Sequence, residues 1–473
     1  LLARARIIIS SCVFLSLVVF FIQPHTEIWL SYAAKAQLIP LITALFSGAG
    51  FIYMLLFIFS AVPAVIAGRV YCSTVCPLGF IQDIFIALRK KTSDGKFVYK
   101  KGMPWIPIAM LAFTLAAIVS GFGLFFSLLE PYSIAARIMN AFVSIDPAVA
   151  YIAAAYLTAI ACLSIIKGRL FCNTLCPAGS ILSLLAAFSR YRLVFDRDAC
   201  VNCGKCESAC KAECVSVKEK TIDFKRCVGC MNCVSACPHS AVKWDRKKSV
   251  TIPGRREFLE KSAFVIGAAA AAPVLKPAAA VQPVMPPGAV NLTRFNSLCT
   301  ACHTCVKACP QKVITISPAG YGILNPLRPM LDYDLSYCLY ACNDCTEVCP
   351  TGALRFMGVS DKKKLSLGKA DIDKKTCIGY TQGRTCNVCV EHCPVKAVYA
   401  VKYRKNLAPE MLKGICTGCG ACEKSCPVRP VKSIRVRPLA VHETIPDPVK
   451  AIRPGEYNLK FIEKTARNKD AFP

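Results

Sequence analysis

Hydrophobic residues collect into four long runs in the first part of the chain, near residues 7–22, 41–67, 105–129 and 147–166. A helix needs about 20 apolar residues to cross a bilayer, so the pattern predicts four spanning helices, the first slightly short. Charge orients them. Arg89, Lys90, Lys91, Lys96, Lys100 and Lys101 crowd the segment between the second and third runs, and Arg4 and Arg6 precede the first, whereas the other face offers little beyond Lys35 and Arg137. Positive residues stay on the cytoplasmic side. The N-terminus, that segment and the chain just after residue 166 are therefore expected in the cytoplasm. Past residue 195 the long runs give way to short polar or β-branched stretches between groups of cysteines.

The segment GRVYCSTVCPLG (68–79) returns as GRLFCNTLCPAG (168–179), 100 residues later and again directly after a spanning run. Such a repeat builds two equivalent halves about a pseudo-two-fold axis. Equivalent residues then approach one another, which would bring Cys72, Cys76, Cys172 and Cys176 together at the cytoplasmic membrane edge. Four soft thiolates at one point suit an iron-sulfur cluster or another soft metal. The plainer reading is two tight turns in which Pro77 and Pro177 end a helix and the cysteines are buried. The joint return of Gly-Arg, both cysteines and Pro-x-Gly favours the shared site. Cys12 and Cys162 lie inside runs and read as core residues.

Six further cysteine sets follow. CVNCGKCESAC gives Cys200, Cys203, Cys206 and Cys210; CVGCMNCVSACP gives Cys227, Cys230, Cys233 and Cys237. This is the C-x2-C-x2-C-x3-C run of two-cluster ferredoxins, in which three cysteines hold one 4Fe-4S cube and the fourth ligates its neighbour. Crossed ligation predicts Cys200, Cys203, Cys206 with Cys237, and Cys227, Cys230, Cys233 with Cys210. Lys211 replaces the usual proline after Cys210, and Cys214 competes as the ligand. Four more sets are Cys299, Cys302, Cys305, Cys309; Cys338, Cys342, Cys345, Cys349; Cys377, Cys386, Cys389, Cys393; and Cys416, Cys419, Cys422, Cys426, each ending in cysteine-proline. Their pairing is open between sequential and nested. Zinc ribbons use C-x2-C pairs but lack the third and distal cysteines. Cys299-x-x-Cys302-His303 also matches a c-type haem attachment, but that would strand Cys305 and Cys309.

Composition agrees and excludes other classes. The chain has 473 residues, is 54% hydrophobic and contains 31 cysteines, with a mean hydropathy of +0.44. It is too apolar for an ordinary soluble protein and too long for a disulfide scaffold. The formal charge of +29 falls to roughly +17 once six cysteine quartets are counted as thiolates holding cluster cores of about +2 each. No nucleic-acid module accompanies the remainder, so lipid and docking surface are the expected use and nucleic acid is not a partner. No histidine lies inside a run, His25 being at an edge, which argues against a haem b pair. No dinucleotide fingerprint or P-loop appears, so haem, flavin and nucleotide are not expected as cofactors.

With these motifs in view, residues 1 to about 245 resemble the NapH-type membrane subunits of periplasmic nitrate reductase systems, and residues 254 to about 445 resemble the partner NapG-type subunit. The resemblance implies a natural fusion of the two. It implies quinol oxidation with electrons passed to a periplasmic reductase or a c-type cytochrome. The expected fold is mixed membrane and soluble: a four-helix transmembrane bundle with an internal repeat (1–192), then α+β ferredoxin-like iron-sulfur domains. These comprise a two-cluster domain (193–245) and a four-cluster domain (293–440), joined by a linker (246–292) and followed by a basic tail (441–473). Six 4Fe-4S clusters are expected, with a seventh cluster or other soft metal at the CxxxCP pair.

In the linker, PGRREFLEKSAFVIGAAAAAP (253–273) has the layout of a twin-arginine export signal around Arg255 and Arg256. A NapG-type subunit would carry such a signal at its own start, and fusion would leave it internal. An outward crossing by Ser262–Leu275 fits the charge rule, although 14 residues span only about 21 Å; the alternative is an Ala/Pro linker. Cleavage near Ala278, Ala279 and Ala280 would separate the halves. The expected location is the bacterial inner membrane, multi-pass, with residues 193–245 cytoplasmic and 293–473 periplasmic.

The expected activity is that of an electron-transfer subunit of a quinol dehydrogenase. Quinol oxidation needs a proton acceptor, and Asp83 and Glu130 are the candidates, against an ordinary role as interfacial anchors. The rival is an assembly factor that reduces a metal or a thiol for another enzyme, and a third reading reverses the flow to reduce quinone.

Overall fold

The computed structural model describes residues 2–22, 34–46, 51–92, 97–103, 105–120, 128–142, 147–246, 267, 282–322 and 325–447. The twin-arginine segment, nearly all of the Ser262–Leu275 run and the alanines at 278–280 lie outside these residues. The chain divides into two compact units: the first holds residues up to Lys276 with Ser297–His303 and Pro350–Gly352, and the second holds the rest.

The first unit is largely helical. Its main helices are α1 (Leu2–Ile22), α2 (Leu38–Phe46), α3 (Phe51–Ala67), α4 (Tyr71–Thr74), α5 (Pro77–Thr92), α6 (Ile106–Ser120), α7 (Pro131–Ala141), α8 (Pro147–Lys167), α9 (Leu170–Thr174) and α10 (Pro177–Ala186). Among the described residues, two helices are long and apolar enough to cross a membrane, Leu2–Ile22 and Ala150–Lys167. They are not core helices. Ile7, Ile8, Ile9 and Leu15 of α1 and Tyr151, Ile165 and Ile166 of α8 are exposed, as are Leu55, Ile58, Phe59 and Val62 of α3. Apolar surface of that extent marks contact with something other than water. Cys12 and Cys162 are likewise exposed, not core residues as expected. The other two expected crossings are shorter within the described residues: α3 has 17 residues and α6 has 15.

The expected run 41–67 covers most of α2 as well as α3, whereas the pattern of runs did not anticipate α7, which is too short to stand out in an apolar window. Arg137 is not a surface loop charge. It lies in α7, buried, and donates to the carbonyls of Thr300 and Ala301 at 3.2 and 2.9 Å. The basic segment before α6 packs on the first cysteine domain: Phe97 N–H donates to Ser208 O at 3.4 Å and Tyr99 N–H to Glu207 Oε1 at 3.0 Å. That domain contains β1 (Tyr191–Phe195) paired antiparallel with β4 (Val242–Arg246), and β2 (Val215–Ser216) with β3 (Thr221–Ile222).

Among the described residues, the second unit has three antiparallel strand pairs alongside short helices. They are β5 (Ile314–Ser317) with β6 (Arg328–Leu331), β8 (Val398–Tyr403) with β9 (Asn406–Met411), and β7 (Leu365–Ile372) with β10 (Ile434–Thr444). The strand β10 runs past residue 440, where a tail was expected, because Glu443 and Thr444 still pair with Ser366 and Leu365.

Candidate metal centres

Each regular cysteine loop turns through left-handed residues on both sides of its second cysteine. Asn202 and Gly204, Gly229 and Met231, Ala301 and His303, and Gly418 and Gly420 all have φ between 51° and 80°. His303 is thus a turn residue of this repeated loop. The fourth cysteine of a run is followed by a second recurring turn. Position Cys+3 is left-handed at Glu213, Ser240, Lys312, Gly352 and Lys396, and an amide returns to the sulfur. Ala241 N–H donates to Cys237 Sγ at 3.2 Å, Ala397 N–H to Cys393 Sγ at 3.2 Å and Leu354 N–H to Cys349 Sγ at 3.3 Å. Amide bonds to sulfur stabilise its anionic form.

Cys210 makes the same turn without a proline: Glu213 is left-handed and Cys214 N–H reaches Cys210 Sγ at 3.5 Å. Cys214 therefore stands where the other runs place a small residue, Ala241 or Ala397. Its thiol lies 3.5 Å from Cys210 Sγ and lowers the Cys210 pKa by hydrogen bonding to it. Cys230 and Cys233 both have Cys210 among their neighbours.

The hollows between these loops collect the crossed sets. One is lined by Cys200, Cys203 and Cys206 from one loop and Cys237 from the other. Another is lined by Cys338, Cys342 and Cys345 with Cys309. Cys389 lies within the electrostatic reach of Cys377, Cys386 and Cys426, and Cys422 within that of Cys416, Cys419 and Cys393.

Thiols in these groups resist losing their protons: burial and then the neighbouring Asp344 push Cys342 up to about 11, and burial and then other thiols push Cys389 up to about 12. A cationic core is what removes such protons. Among the described residues no three His, Cys, Asp or Glu side chains close on a point as ligands of a single ion would. A cube spreads its thiolates over separate corners, so wide cysteine-lined hollows fit it better than they fit one zinc ion.

The repeat forms a clasp. Arg69 Nη2 donates to Cys172 O at 2.6 Å, and Arg169 Nη1 donates to Cys72 O at 3.2 Å, so each half's buried arginine holds the other half's first cysteine. Gly179 and Gly79 complete the motif, because a Cβ on either would overlap the carbonyl oxygen of Cys172 or Cys72 and crowd the crossing arginine. The thiols of Cys72, Cys76, Cys172 and Cys176 are buried and lie within one another's electrostatic reach.

The halves differ at the acidic position beside the clasp. Asp83, whose counterpart 100 residues on is Ser183, pairs with Arg169 at 2.5 Å, Lys211 at 2.5 Å and Arg6 at 2.9 Å. This explains the missing proline: Lys211 reaches from the cysteine domain into the clasp, and its carbonyl accepts from Arg169 N–H at 2.9 Å. Glu130 caps α7, its oxygens accepting from Tyr132 N–H at 3.0 Å and from Ser133 N–H. Asp83 is thus occupied by three cations and Glu130 by two amides.

Family models agree with these landmarks. A 4Fe-4S binding domain matches twice, at 49–93 and 149–194, one match on each half of the repeat. 4Fe-4S dicluster domains match 298–354 and 337–397, and further 4Fe-4S binding domains match 220–243 and 416–429. The methylamine utilization ferredoxin-type protein MauM of Methylophilus methylotrophus is 32% identical over 191 residues, 35% of this chain and 79% of the relative. The ferredoxin-type protein NapG of Escherichia coli (strain K12) is 30% identical over 185 residues, 35% of this chain and 78% of its own length. The methylamine utilization ferredoxin-type protein MauN of Paracoccus denitrificans is 30% identical over 148 residues, 31% of this chain and 49% of the relative. No solved structure matches the chain.

Proposed function

The chain belongs to the family of ferredoxin-type iron-sulfur proteins that includes MauM and NapG, and from that premise we propose that it is a membrane-bound relay from quinol to a redox partner protein. The observation that carries this reading is the convergence of cysteines from two loops on each hollow, Cys200, Cys203, Cys206 with Cys237 and Cys338, Cys342, Cys345 with Cys309. A 4Fe-4S cluster takes up and releases one electron at a time, and serial clusters suit a two-electron donor such as quinol. By the same rule Cys227, Cys230, Cys233 take Cys210; Cys377, Cys386, Cys389 take Cys426; and Cys416, Cys419, Cys422 take Cys393. The clasped cysteines of the repeat would hold a seventh cluster or another soft metal.

The membrane part is a four-crossing, NapH-type bundle fused to a NapG-type segment. Exposed apolar side chains on α1, α3 and α8 support its lipid contact. The basic segment packed on the first cysteine domain supports a common cytoplasmic side for both. Arg137, expected on the opposite face, bonds the 300–301 loop, which supports an outer position for that loop.

The test is anaerobic mixing of the oxidised protein, in lipid nanodiscs, with a short-chain quinol. Bleaching of the cluster absorbance, with two electrons delivered and two protons released per quinol, is expected. Failure to reduce by quinol, together with rapid reduction by a low-potential ferredoxin, would reverse the direction of flow. Reduction of copper(II) or of a client disulfide in preference to any redox protein would favour the assembly-factor reading.

A further inference from the structure

This inference rests on the reading that the cysteine sets hold clusters, and it concerns the order in which the second unit connects them. Two pairs of sets meet there along one seam. Cys338 N–H donates to Cys419 O at 2.9 Å, joining a residue of one set to a residue of another main chain to main chain. Buried Tyr333 runs along this seam: its hydroxyl donates to Gly418 O at 2.5 Å, and its ring fills the space where Gly420 lacks a side chain. Cys338, Cys419 and Cys416 all lie within its electrostatic reach. Lys432 fastens the same segment, donating to Tyr333 O at 3.1 Å and pairing with Asp334 at 2.6 Å.

The seam therefore involves the Cys338 and Cys416 sets. The Cys377 set enters the unit through the Cys416 set, since the short helix that carries Cys389 (Val388–Glu391) packs on the one that carries Cys422 (Ala421–Ser425). Along the chain the order is Cys338, Cys377, Cys416. In space it is Cys338, Cys416, Cys377.

The Cys377 set also has the widest gap, and the residues within that gap form a platform. Thr381, Gln382, Gly383, Arg384 and Thr385 are all exposed. The loop is nonetheless held in shape: Asn406 Nδ2 donates to Gly379 O at 2.6 Å and Arg384 O at 3.2 Å, and Leu407 N–H donates to Thr385 Oγ1 at 3.3 Å. Those bonds bring the turn between β8 and β9, with exposed Arg404 and Lys405, beside exposed Arg384. Lys374 packs over Tyr380, 5.1 Å from the ring centre, and its charge is met by Glu410.

We infer that Cys377, Cys386, Cys389 and Cys426 form the outermost relay of this unit, and that the Arg384–Arg404–Lys405 face above it docks an acidic redox protein. One electron leaves this set, which rises one oxidation level, and enters the one-electron acceptor of the partner, which falls by one. A cationic rim raises the encounter rate of an anionic partner and loses that effect in salt.

Two measurements on the full-length, anaerobically purified and reduced protein test this. The first is electron paramagnetic relaxation in Cys386→Ser and Cys419→Ser, with Cys422→Ser replacing the latter if it fails to fold. Removing the Cys386 ligand should leave coupling between the Cys338 and Cys416 sets intact. Removing the Cys419 ligand should leave the Cys377 set magnetically isolated; persistent coupling of that set to the Cys338 set would overturn the order. The second is stopped-flow oxidation by ferricyanide and by hexaammineruthenium(III). Arg384→Glu with Arg404→Glu should slow the anionic oxidant about tenfold at low salt and leave the cationic one no slower; equal effects on both, or none, would overturn the docking face. Iron is counted on every sample. Wild-type protein without iron would remove the underlying reading, whereas full iron with the wrong coupling would remove this inference alone.

Discussion

Replacing Asp83 with asparagine removes the one negative charge on which Arg169, Lys211 and Arg6 converge. Arg169 and Lys211 have side chains 0% and 3% exposed, and Asp83 itself is 18% exposed. Breaking a buried ion pair by deleting one partner costs about 3–5 kcal/mol, because the remaining charge stays desolvated. The expected loss is therefore roughly two to three and a half powers of ten in the folded-to-unfolded ratio. Pulse proteolysis across a urea series in detergent micelles measures it. Adding Lys211→Met to Asp83→Asn should recover part of the loss, since one stranded cation is then gone. The pH dependence follows from the carboxyl. Burial alone would raise its pKa, but Arg169 and Lys211 outweigh burial and hold it well below the usual carboxylate range. A depressed folded value contributes stability above the unfolded value of about 3.9, and loses it as pH falls through the folded one. The gap between wild type and Asp83→Asn should hold at neutral pH and narrow below about pH 4. A loss below about 0.5 kcal/mol at neutral pH, typical of a surface substitution, would refute the buried latch.

Gly179→Ala should destabilise the first unit by about 1–3 kcal/mol in the same assay, because its Cβ would overlap Cys172 O and displace Arg69. Cys214→Ala should leave the iron content unchanged, whereas Cys210→Ala should lose about four irons, as read by atomic emission. Tyr333→Phe leaves the buried carbonyl of Gly418 without its hydroxyl donor and should cost about 1–2 kcal/mol, measured by urea denaturation of the reduced protein.

The cysteine quartets were legible in the sequence because their spacing is local: in each regular set three cysteines in seven residues wind one loop, and the distal cysteine follows a short step later. The crossed arrangement around Cys237 follows from that spacing, whereas the spacing alone leaves the partner of Cys309 open. The repeat was legible too, but not its purpose. Gly-Arg recurred visibly beside both CxxxC segments, yet only the fold shows Arg69 and Arg169 exchanging partners across the two halves. Lys211 stood out as a departure from proline, and its partner Asp83 lies 128 residues away in sequence, beyond the range of any local pattern. The spatial order of the sets in the second unit was hidden for the same reason, since it depends on Cys338 meeting Cys419. Asp83 and Glu130 were legible as unusual carboxylates, but not as a latch and a helix cap.

The most direct test of the central claim is a metal and acid-labile sulfide count on anaerobically purified, full-length protein. Six cysteine quartets predict about 24 irons with equal sulfide, and about four more of each if the clasped cysteines also hold a cube. Zinc in place of iron, or quartets without metal, would contradict it.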